Sequence, residues 1–303
     1  MELRITHETR YDYAPAVETA QHIAYLEPSD TDCQSVLSHR LQIEPEPSQQ
    51  NFAADIYGNQ RCFFALLTPH TCLRVIAHSV VRTQAPQPVQ SQISWEAVRE
   101  SFRYHLGADW NAATEFSFAS MLAPVHDEFT TYARSSFAPG VSALAAARDL
   151  MTRIHTEFTY ASQSTAVNTP ALEAFHQRQG VCQDFAHIMI ACLRGMGLAA
   201  RYVSGYLLTQ PPPGQPRLIG SDASHAWVSV YLPDLPGATQ GRGWYDLDPT
   251  NNRDGWGTPG EDYVTVATGR DFADISPIRG VIHGGGQHTL SVAVTVEPLA
   301  EIR

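Results

Sequence analysis

Residues 180–197 (GVCQDFAHIMIACLRGMG) constrain the fold of this chain more than any other stretch. The segment is mostly apolar, contains no proline and is long enough for about four turns of α-helix. Gly197 suits the left-handed conformation that ends many helices. Cys182 then falls in the first turn, where unpaired backbone N–H groups and the helix dipole favour a negative charge. A thiol there should ionise more readily than a free one, so we expect Cys182 to be a nucleophile.

The composition is that of a globular protein and argues against several classes of function. Of the 303 residues 43% are hydrophobic, and the net charge is −11 without a cluster of lysine or arginine. Nucleic-acid binding therefore lacks its electrostatic signature. The N-terminus shows no signal peptide and no apolar run reaches membrane-spanning length, so we expect a cytoplasmic protein without a membrane partner. Five cysteines without a CxxC pair argue against a disulfide framework and against a structural zinc site.

The first part of the chain, residues 1–85, has the alternating apolar pattern of β-strands. Gly58 and Asn59 lie between two apolar runs and predict a hairpin turn. We therefore predict an antiparallel β-sandwich or barrel domain that supports the protein or places its substrate. Residues 86–140 begin as a Pro/Gln/Ser linker and continue as a helical connection, with Ser94 as a helix cap.

Residues 141–303 are predicted to form an α+β core, because helical patterns come first and strand patterns follow. The clearest amphipathic helix covers residues 141–158. After the helix that carries Cys182, strand patterns are found at residues 199–208, 225–232, 243–248 and 289–296. We expect the last of these to close the sheet of the core, and residues 210–216 to form a proline-rich surface loop.

A cysteine nucleophile needs a base that takes its proton and a third group that orients the base. His225 begins one predicted strand, and Asp248 ends the next. If these strands are antiparallel neighbours, the two side chains lie close together, and the sheet can pack against the helix of Cys182. Asp246 is an alternative for the third role, since it would share a strand face with Asp248.

Three blocks of sequence resemble the bacterial transglutaminase-like family of papain-like thiol enzymes. They are residues 180–186 (GVCQDFA), 224–227 (SHAW) and 248–251 (DPTN). The short spacing from cysteine to histidine differs from the papain pattern, where about 130–150 residues separate them. Residues 4–11 (RITHETRY) and 38–41 (SHRL) resemble the β-rich N-terminal domain that accompanies this core, and residues 279–286 resemble its C-terminal end.

The resemblance implies that Cys182 is the nucleophile, His225 the general acid/base and Asp248 the orienting carboxylate. It implies attack on the amide carbonyl of a peptide or protein, followed by a thioester, and it implies no cofactor. The backbone N–H of Cys182 is the expected oxyanion donor. Release to water would give peptidase or amidase activity, whereas release to an amine would give cross-linking.

We favour hydrolysis, because no calcium-binding EF-hand pattern is present and a cytoplasmic chain has little use for irreversible cross-linking. The alternatives are a protein-glutamine acyltransferase and a transglutaminase-like binding module without catalysis. A zinc hydrolase built on His225 and His283 is disfavoured, since the spacing of a zinc-binding HExxH motif is missing.

Other polar and aromatic residues are candidates for supporting roles. Trp227 is a candidate for the cleft wall, and His283 could border the site because it precedes a flexible glycine loop. We expect Asp184 to be a structural charge in the first turn of the helix and His187 to be a buried hydrogen-bonded histidine. Cys192 is expected to be an unreactive residue of the core. The sequence leaves the oligomeric state and the substrate open.

Overall fold

The computed structural model describes residues 1–107, 110–161, 165–209 and 224–299. The proline-rich stretch 210–216 lies outside these residues. The N-terminal part forms the strands β1 (Glu2–Ala24), β2 (Gln34–Glu44), β3 (Gln49–Ala54), β4 (Gln60–Leu66) and β5 (His70–Thr83). The predicted hairpin connects β3 and β4, and Gly58 has the positive φ of 87° that such a turn requires.

The long strand β1 organises the first sheet. The strand order is β2-β5-β1-β4-β3, and all pairs are antiparallel. The pairing of β1 with β5 is interrupted between Asp12 and Val17, where Pro15 cannot donate a backbone hydrogen bond. Apolar side chains of β1, β2, β4 and β5 share one core, which includes Val17, Phe64 and Leu73. The antiparallel β-rich N-terminal region that we predicted is thus confirmed.

Helices follow the first sheet. They are α1 (Trp95–Ser101), α2 (Asp127–Arg134), α3 (Ala143–Glu157), α4 (Ala171–Gln177) and α5 (Cys182–Gly195), with 3₁₀ turns at Ala112–Ser117 and Ala238–Gln240. Ser94 caps α1 as predicted, because its hydroxyl accepts a hydrogen bond from the backbone N–H of Ala97. Gly197 has a φ of 82° and ends α5 in the left-handed region, also as predicted.

The second sheet carries α5 on one face. It contains β8 (Ala200–Leu207), β9 (Ser224–Tyr231), β10 (Trp244–Asp248), β11 (Arg253–Trp256) and β12 (Tyr263–Gly269), which follow the short parallel pair β6 (Thr159–Tyr160) and β7 (Gln179–Gly180). The strand order is β11-β10-β9-β8-β12, and each of these pairs is antiparallel. Ala226, Val228 and Val230 are buried in the core that α5 shares. His225 and Trp227, one residue out of step, belong to the opposite face.

The C-terminal strands return to the first sheet. The short helix α6 (Phe272–Ile275) precedes β13 (Ile278–Gly284) and β14 (Gln287–Pro298), and both strands pair with β1. The prediction that residues 289–296 close the core sheet is therefore wrong. Alternating apolar residues identify a strand, but they do not specify which sheet edge receives it.

Two side-chain amides attach the first sheet to the edge strand β12. Gln34 donates a hydrogen bond to the carbonyl of Thr265 and accepts one from its N–H, both at 2.8 Å. Asn59 makes the same pair with Thr268, at 2.8 and 2.7 Å. The amides thus satisfy backbone groups that an edge strand would otherwise leave unpaired.

Candidate active site

Cys182 is the first residue of α5, and Asp184 holds this helix end in place. The Asp184 carboxylate accepts hydrogen bonds from the N–H of Val181 at 2.8 Å and from the hydroxyl of Thr165 at 2.6 Å. It folds back over Gly180, where an added Cβ would lie 2.7 Å from the Cβ of Asp184. Position 180 therefore has no room for a side chain. Burial raises the pKa of Asp184, although both hydrogen bonds oppose this rise.

His225 connects the thiol to a carboxylate. Its Nε2 donates a hydrogen bond to the Oδ2 of Asp248 at 2.7 Å, and the side chain of Cys182 lies close enough to raise the pKa of the same imidazole. Burial by itself lowers the pKa of a histidine, but the hydrogen bonds and negative charges of Asp248 and Cys182 outweigh it and raise the pKa of His225 to about 10. The site therefore favours the imidazolium form of His225 beside the Asp248 carboxylate.

Asp248 is fully buried at the end of β10, and several donors surround it. In addition to His225, the hydroxyl of Tyr263 and the amide of Asn251 each donate to Oδ2 at 2.7 Å. The backbone N–H groups of Thr250 and Asn251 donate to Oδ1 at 2.8 and 3.3 Å. Burial alone raises the pKa of a carboxyl group, but the hydrogen bonds keep the pKa of Asp248 below its usual value. The carboxylate is thus ionised and fixed in orientation.

Asp246 does not contact His225. It lies opposite Ser229 in the pairing of β9 with β10, and the Ser229 hydroxyl donates to its carboxylate. Burial raises the pKa of Asp246 to about 6, partly opposed by Ser229 and by the charge of Arg201. Of the two acidic candidates, the structure thus brings only Asp248 to the histidine.

Two further sequence expectations need correction. Trp227 is fully buried, with its ring 6.2 Å from that of His225 and at right angles to that of Tyr263, so it supports the site from beneath and does not line a cleft. His283 lies on β13 in the first sheet, is largely exposed and forms an ion pair with Glu18 at 3.1 Å. The glycine loop that suggested a role for His283 is the turn between β13 and β14.

His187 and Cys192 occupy the packed part of α5, as expected. The Nε2 of His187 accepts a hydrogen bond from the N–H of Phe272 at 3.2 Å, and burial lowers the pKa of His187 to about 4. Burial raises the pKa of Cys192 far above its usual value, which disfavours a reactive thiolate.

Two residues that bind Asp248 had no role assigned in the sequence interpretation. Asn251 and Tyr263 both bind Asp248; Asn251 belongs to the DPTN block, but no local signal indicated Tyr263. Tyr160 is 54% exposed, lies on β6 beside Gly180, and its pKa is raised by burial and by the charge of Cys182. It therefore offers an aromatic surface next to the thiol.

The described residues contain no group of three His, Cys, Asp or Glu side chains arranged to hold a metal ion. Within the same ranges no helix is both long and apolar enough to cross a membrane.

Comparison with known proteins agrees with this architecture. Residues 3–82 match the bacterial transglutaminase-like N-terminal region, and residues 130–249 match the transglutaminase-like superfamily. A crystal structure from Cytophaga hutchinsonii, described as a candidate cysteine protease, covers 99% of this chain and 91% of its own, with a TM-score of 0.73 and 21% identity. The fold is therefore the transglutaminase-like one, and the chain belongs to the bacterial transglutaminase-like proteins.

Relatives of similar length occur in mycobacteria. An uncharacterised protein of Mycobacterium tuberculosis is 40% identical over 301 residues, which cover 97% of this chain and 92% of that protein. One of Mycobacterium leprae is 30% identical over 304 residues, or 98% and 99% of the two chains. A protein-glutamine gamma-glutamyltransferase of Pseudomonas aeruginosa is 33% identical over 99 residues, 32% of this chain and 14% of that protein.

Proposed function

We propose that this protein is a cysteine enzyme that attacks amide carbonyl groups of peptides or proteins and forms a thioester at Cys182. The observation that carries the proposal is that His225 is hydrogen-bonded to the buried Asp248 on one side and is influenced by the side chain of Cys182 on the other. Each partner supplies what the next requires: the carboxylate stabilises the imidazolium, and the imidazolium stabilises the thiolate.

The reaction follows from this geometry. His225 takes the proton of Cys182, and the thiolate attacks the carbonyl carbon to form a tetrahedral intermediate. The N–H of Cys182 at the start of α5 is suited to bind the developing oxyanion. His225 then gives its proton to the leaving amine, and the C–N bond breaks to leave the thioester. Water or an amine, deprotonated by His225, attacks the thioester and releases Cys182.

We favour water as the acceptor. Cys182 is partly exposed and Tyr160 beside it is half exposed, so solvent can reach the thioester position. Amine transfer is the second candidate, favoured by the similarity of a 99-residue stretch to the protein-glutamine gamma-glutamyltransferase.

Mass spectrometry can test both parts of the proposal. Peptide mixtures are incubated with the protein in isotopically heavy water that contains methylamine. We expect the products to contain heavy oxygen and little incorporated methylamine. With the Cys182→Ala variant, neither label should be incorporated. Cys192→Ala, in the same helix, serves as the matched control and should retain activity. Predominant methylamine incorporation would favour transfer, and products that persist in Cys182→Ala would refute the thiol mechanism.

Selective alkylation provides a test that needs no substrate. Iodoacetamide should modify Cys182 faster than Cys192, and His225→Ala should remove this advantage. Equal rates in the two proteins would show that His225 does not activate the thiol, and the chain would then fit a non-catalytic binding module.

A further inference from the structure

A cavity of about 580 Å³ lies between the second sheet and the first, on the sheet face opposite α5. Its floor contains Arg201, Ser229 and Asp246, which are cross-strand neighbours on β8, β9 and β10. The volume lies in the range typical of sites for small organic molecules. Cys182, His225 and Asp248 do not line it.

Arg201 is the unusual member of this floor. Its guanidinium stacks on the ring of Trp244 at 4.3 Å, but it makes no hydrogen bond or ion pair with any described residue. The Nε atom is buried without a partner. Burial lowers the pKa of Arg201 to about 10, and the charge of Asp246 compensates only part of this effect. Arg201 as a whole is partly exposed to the cavity, but a buried Nε atom without a partner is costly, so a partner for it is expected.

The acidic groups around the cavity, in contrast, already have partners. Asp246 accepts from Ser229, Asp30 accepts from the N–H of Val36 at 2.7 Å, and Asp32 forms an ion pair with Arg242 at 3.4 Å. The unmet requirement in this cavity is therefore for an anion at Arg201.

The remaining walls determine what kind of anion fits. Trp244, Tyr57 and Val203 offer aromatic and aliphatic surface, whereas Arg201 is a partly exposed cation on the floor of the cavity. We infer that this cavity binds a small organic carboxylate, whose two oxygens pair with the Arg201 guanidinium while its apolar body lies against these side chains. A guanidinium suits such two-point recognition of a planar carboxylate. This site is separate from the thiol centre and does not depend on the proposed reaction.

Calorimetric titration with phenylacetate tests the inference directly, in the Cys182→Ser protein so that thiol chemistry cannot contribute. We expect saturable binding of phenylacetate, and binding about 10- to 100-fold weaker for phenylacetamide, which has the same shape without the charge. Inorganic phosphate should bind weakly, since it has no apolar body. Tighter binding of phosphate than of phenylacetate would overturn the carboxylate assignment.

The decisive variant is Arg201→Met, with Arg99→Met as the matched control. Arg99 also stacks on a tryptophan, Trp95, but lies outside the cavity. Arg201→Met should lose phenylacetate binding without a fall in the midpoint of thermal unfolding, because it removes a guanidinium that has no hydrogen-bond or ion-pair partner among the described residues. Unchanged phenylacetate binding in Arg201→Met would refute the site. A lower unfolding midpoint of Arg201→Met, together with no phenylacetate binding by the protein that keeps Arg201, would also refute it.

Thiol protection supplies a measurement that does not rely on the variant. Cys33 lines the cavity, while Cys72 lies on β5 outside it. Saturating phenylacetate should slow the modification of Cys33 by methyl methanethiosulfonate several-fold and leave Cys72 unaffected. Equal rates at Cys33 with and without phenylacetate would place the ligand elsewhere.

Discussion

At the scale of single residues, the site depends on a negative charge held away from water. Asp248 is fully buried, yet its carboxylate remains ionised because His225, Tyr263, Asn251 and Thr250 donate to it. A buried charge without such donors would be neutralised or very costly. The same charge keeps His225 protonated, so Asp248 acts on the thiol centre through His225.

Asp248→Asn tests this dependence, because it keeps the shape of the side chain and removes the charge. The pKa of His225 should fall from about 10 towards its ordinary value, as an NMR titration of the imidazole would show. We expect kcat of the proposed reaction to fall by about 10²- to 10⁴-fold. An unchanged titration of His225 would contradict the assignment of Asp248 as its partner.

The raised pKa of His225 also predicts how stability depends on pH. The folded-state pKa of about 10 exceeds the ordinary value of 6.5, so the stabilisation from this group is complete below pH 6.5 and is lost as the pH rises towards 10. The difference in unfolding free energy between the wild type and Asp248→Asn should therefore shrink over this interval. Chemical denaturation at several pH values measures it, and a constant difference would argue against a coupled pair.

Tyr263 should act through Asp248. Tyr263→Phe leaves the buried carboxylate short of one donor, and we expect a loss of about 1–3 kcal/mol in the free energy of unfolding. Tyr245→Phe is the matched control, because the hydroxyl of Tyr245 also donates to a carboxylate, that of Asp254, which is partly exposed and retains Arg148. Urea denaturation should show the smaller loss for Tyr245→Phe. Equal losses would mean that the hydroxyl donor to the buried Asp248 contributes no more than the donor to the partly exposed Asp254.

At the scale of elements, the start of α5 is a tightly built turn. The short pair of β6 and β7 leads directly into the helix, Asp184 closes the turn over Gly180, and Tyr160 is placed beside the thiol. The backbone before α5 thus fixes the position of Cys182, and this backbone conformation leaves no room for a side chain at residue 180.

Gly180→Ala should displace this turn. The added methyl group would lie 2.7 Å from the Cβ of Asp184, so we expect slower alkylation of Cys182 and a loss of about 1–3 kcal/mol in unfolding free energy. The double variant Gly180→Ala/Asp184→Ala removes the crowded carboxylate. Its loss should be smaller than the sum of the single losses, whereas strict additivity would show that crowding with Asp184 is not the cause.

At the scale of the whole molecule, the two sheets depend on each other. The chain leaves the first sheet after β5, builds the second sheet, and returns to β1 through β13 and β14. Gln34 and Asn59 connect the first sheet to β12 through paired hydrogen bonds. The cavity of Arg201 lies where these parts meet.

Gln34→Ala tests this connection. It removes both hydrogen bonds to Thr265 and leaves the Thr265 N–H unpaired, while the carbonyl keeps the N–H of Ser29, so we expect a loss of about 1–3 kcal/mol in unfolding free energy. Gln42→Ala, in the same strand, removes an amide that bonds only the exposed Glu44 and should change stability little. Denaturant titration compares the two, and similar small effects would show that the connection contributes little.

The sequence by itself determined the local elements and the chemical groups of the site. The helix that begins at Cys182, the caps at Ser94 and Gly197, the β3–β4 turn and the strands that carry His225 and Asp248 all follow from patterns within a few residues. Such patterns are readable because propensity, capping and periodicity depend on neighbours along the chain. Resemblance to a family added the chain order of the three residues, which no local pattern supplies.

Only the tertiary structure decided which distant groups meet. In the folded chain β14 pairs with β1, and Trp227 is buried beneath His225. Asp248, and not Asp246, is hydrogen-bonded to His225, and the hydroxyl of Tyr263 donates to the same carboxylate. These outcomes depend on strand partners and register, which the pattern of a single strand leaves undetermined. For the same reason, only the tertiary structure shows that the Arg201 guanidinium lacks a partner in the cavity between the first sheet and strands β8, β9 and β10.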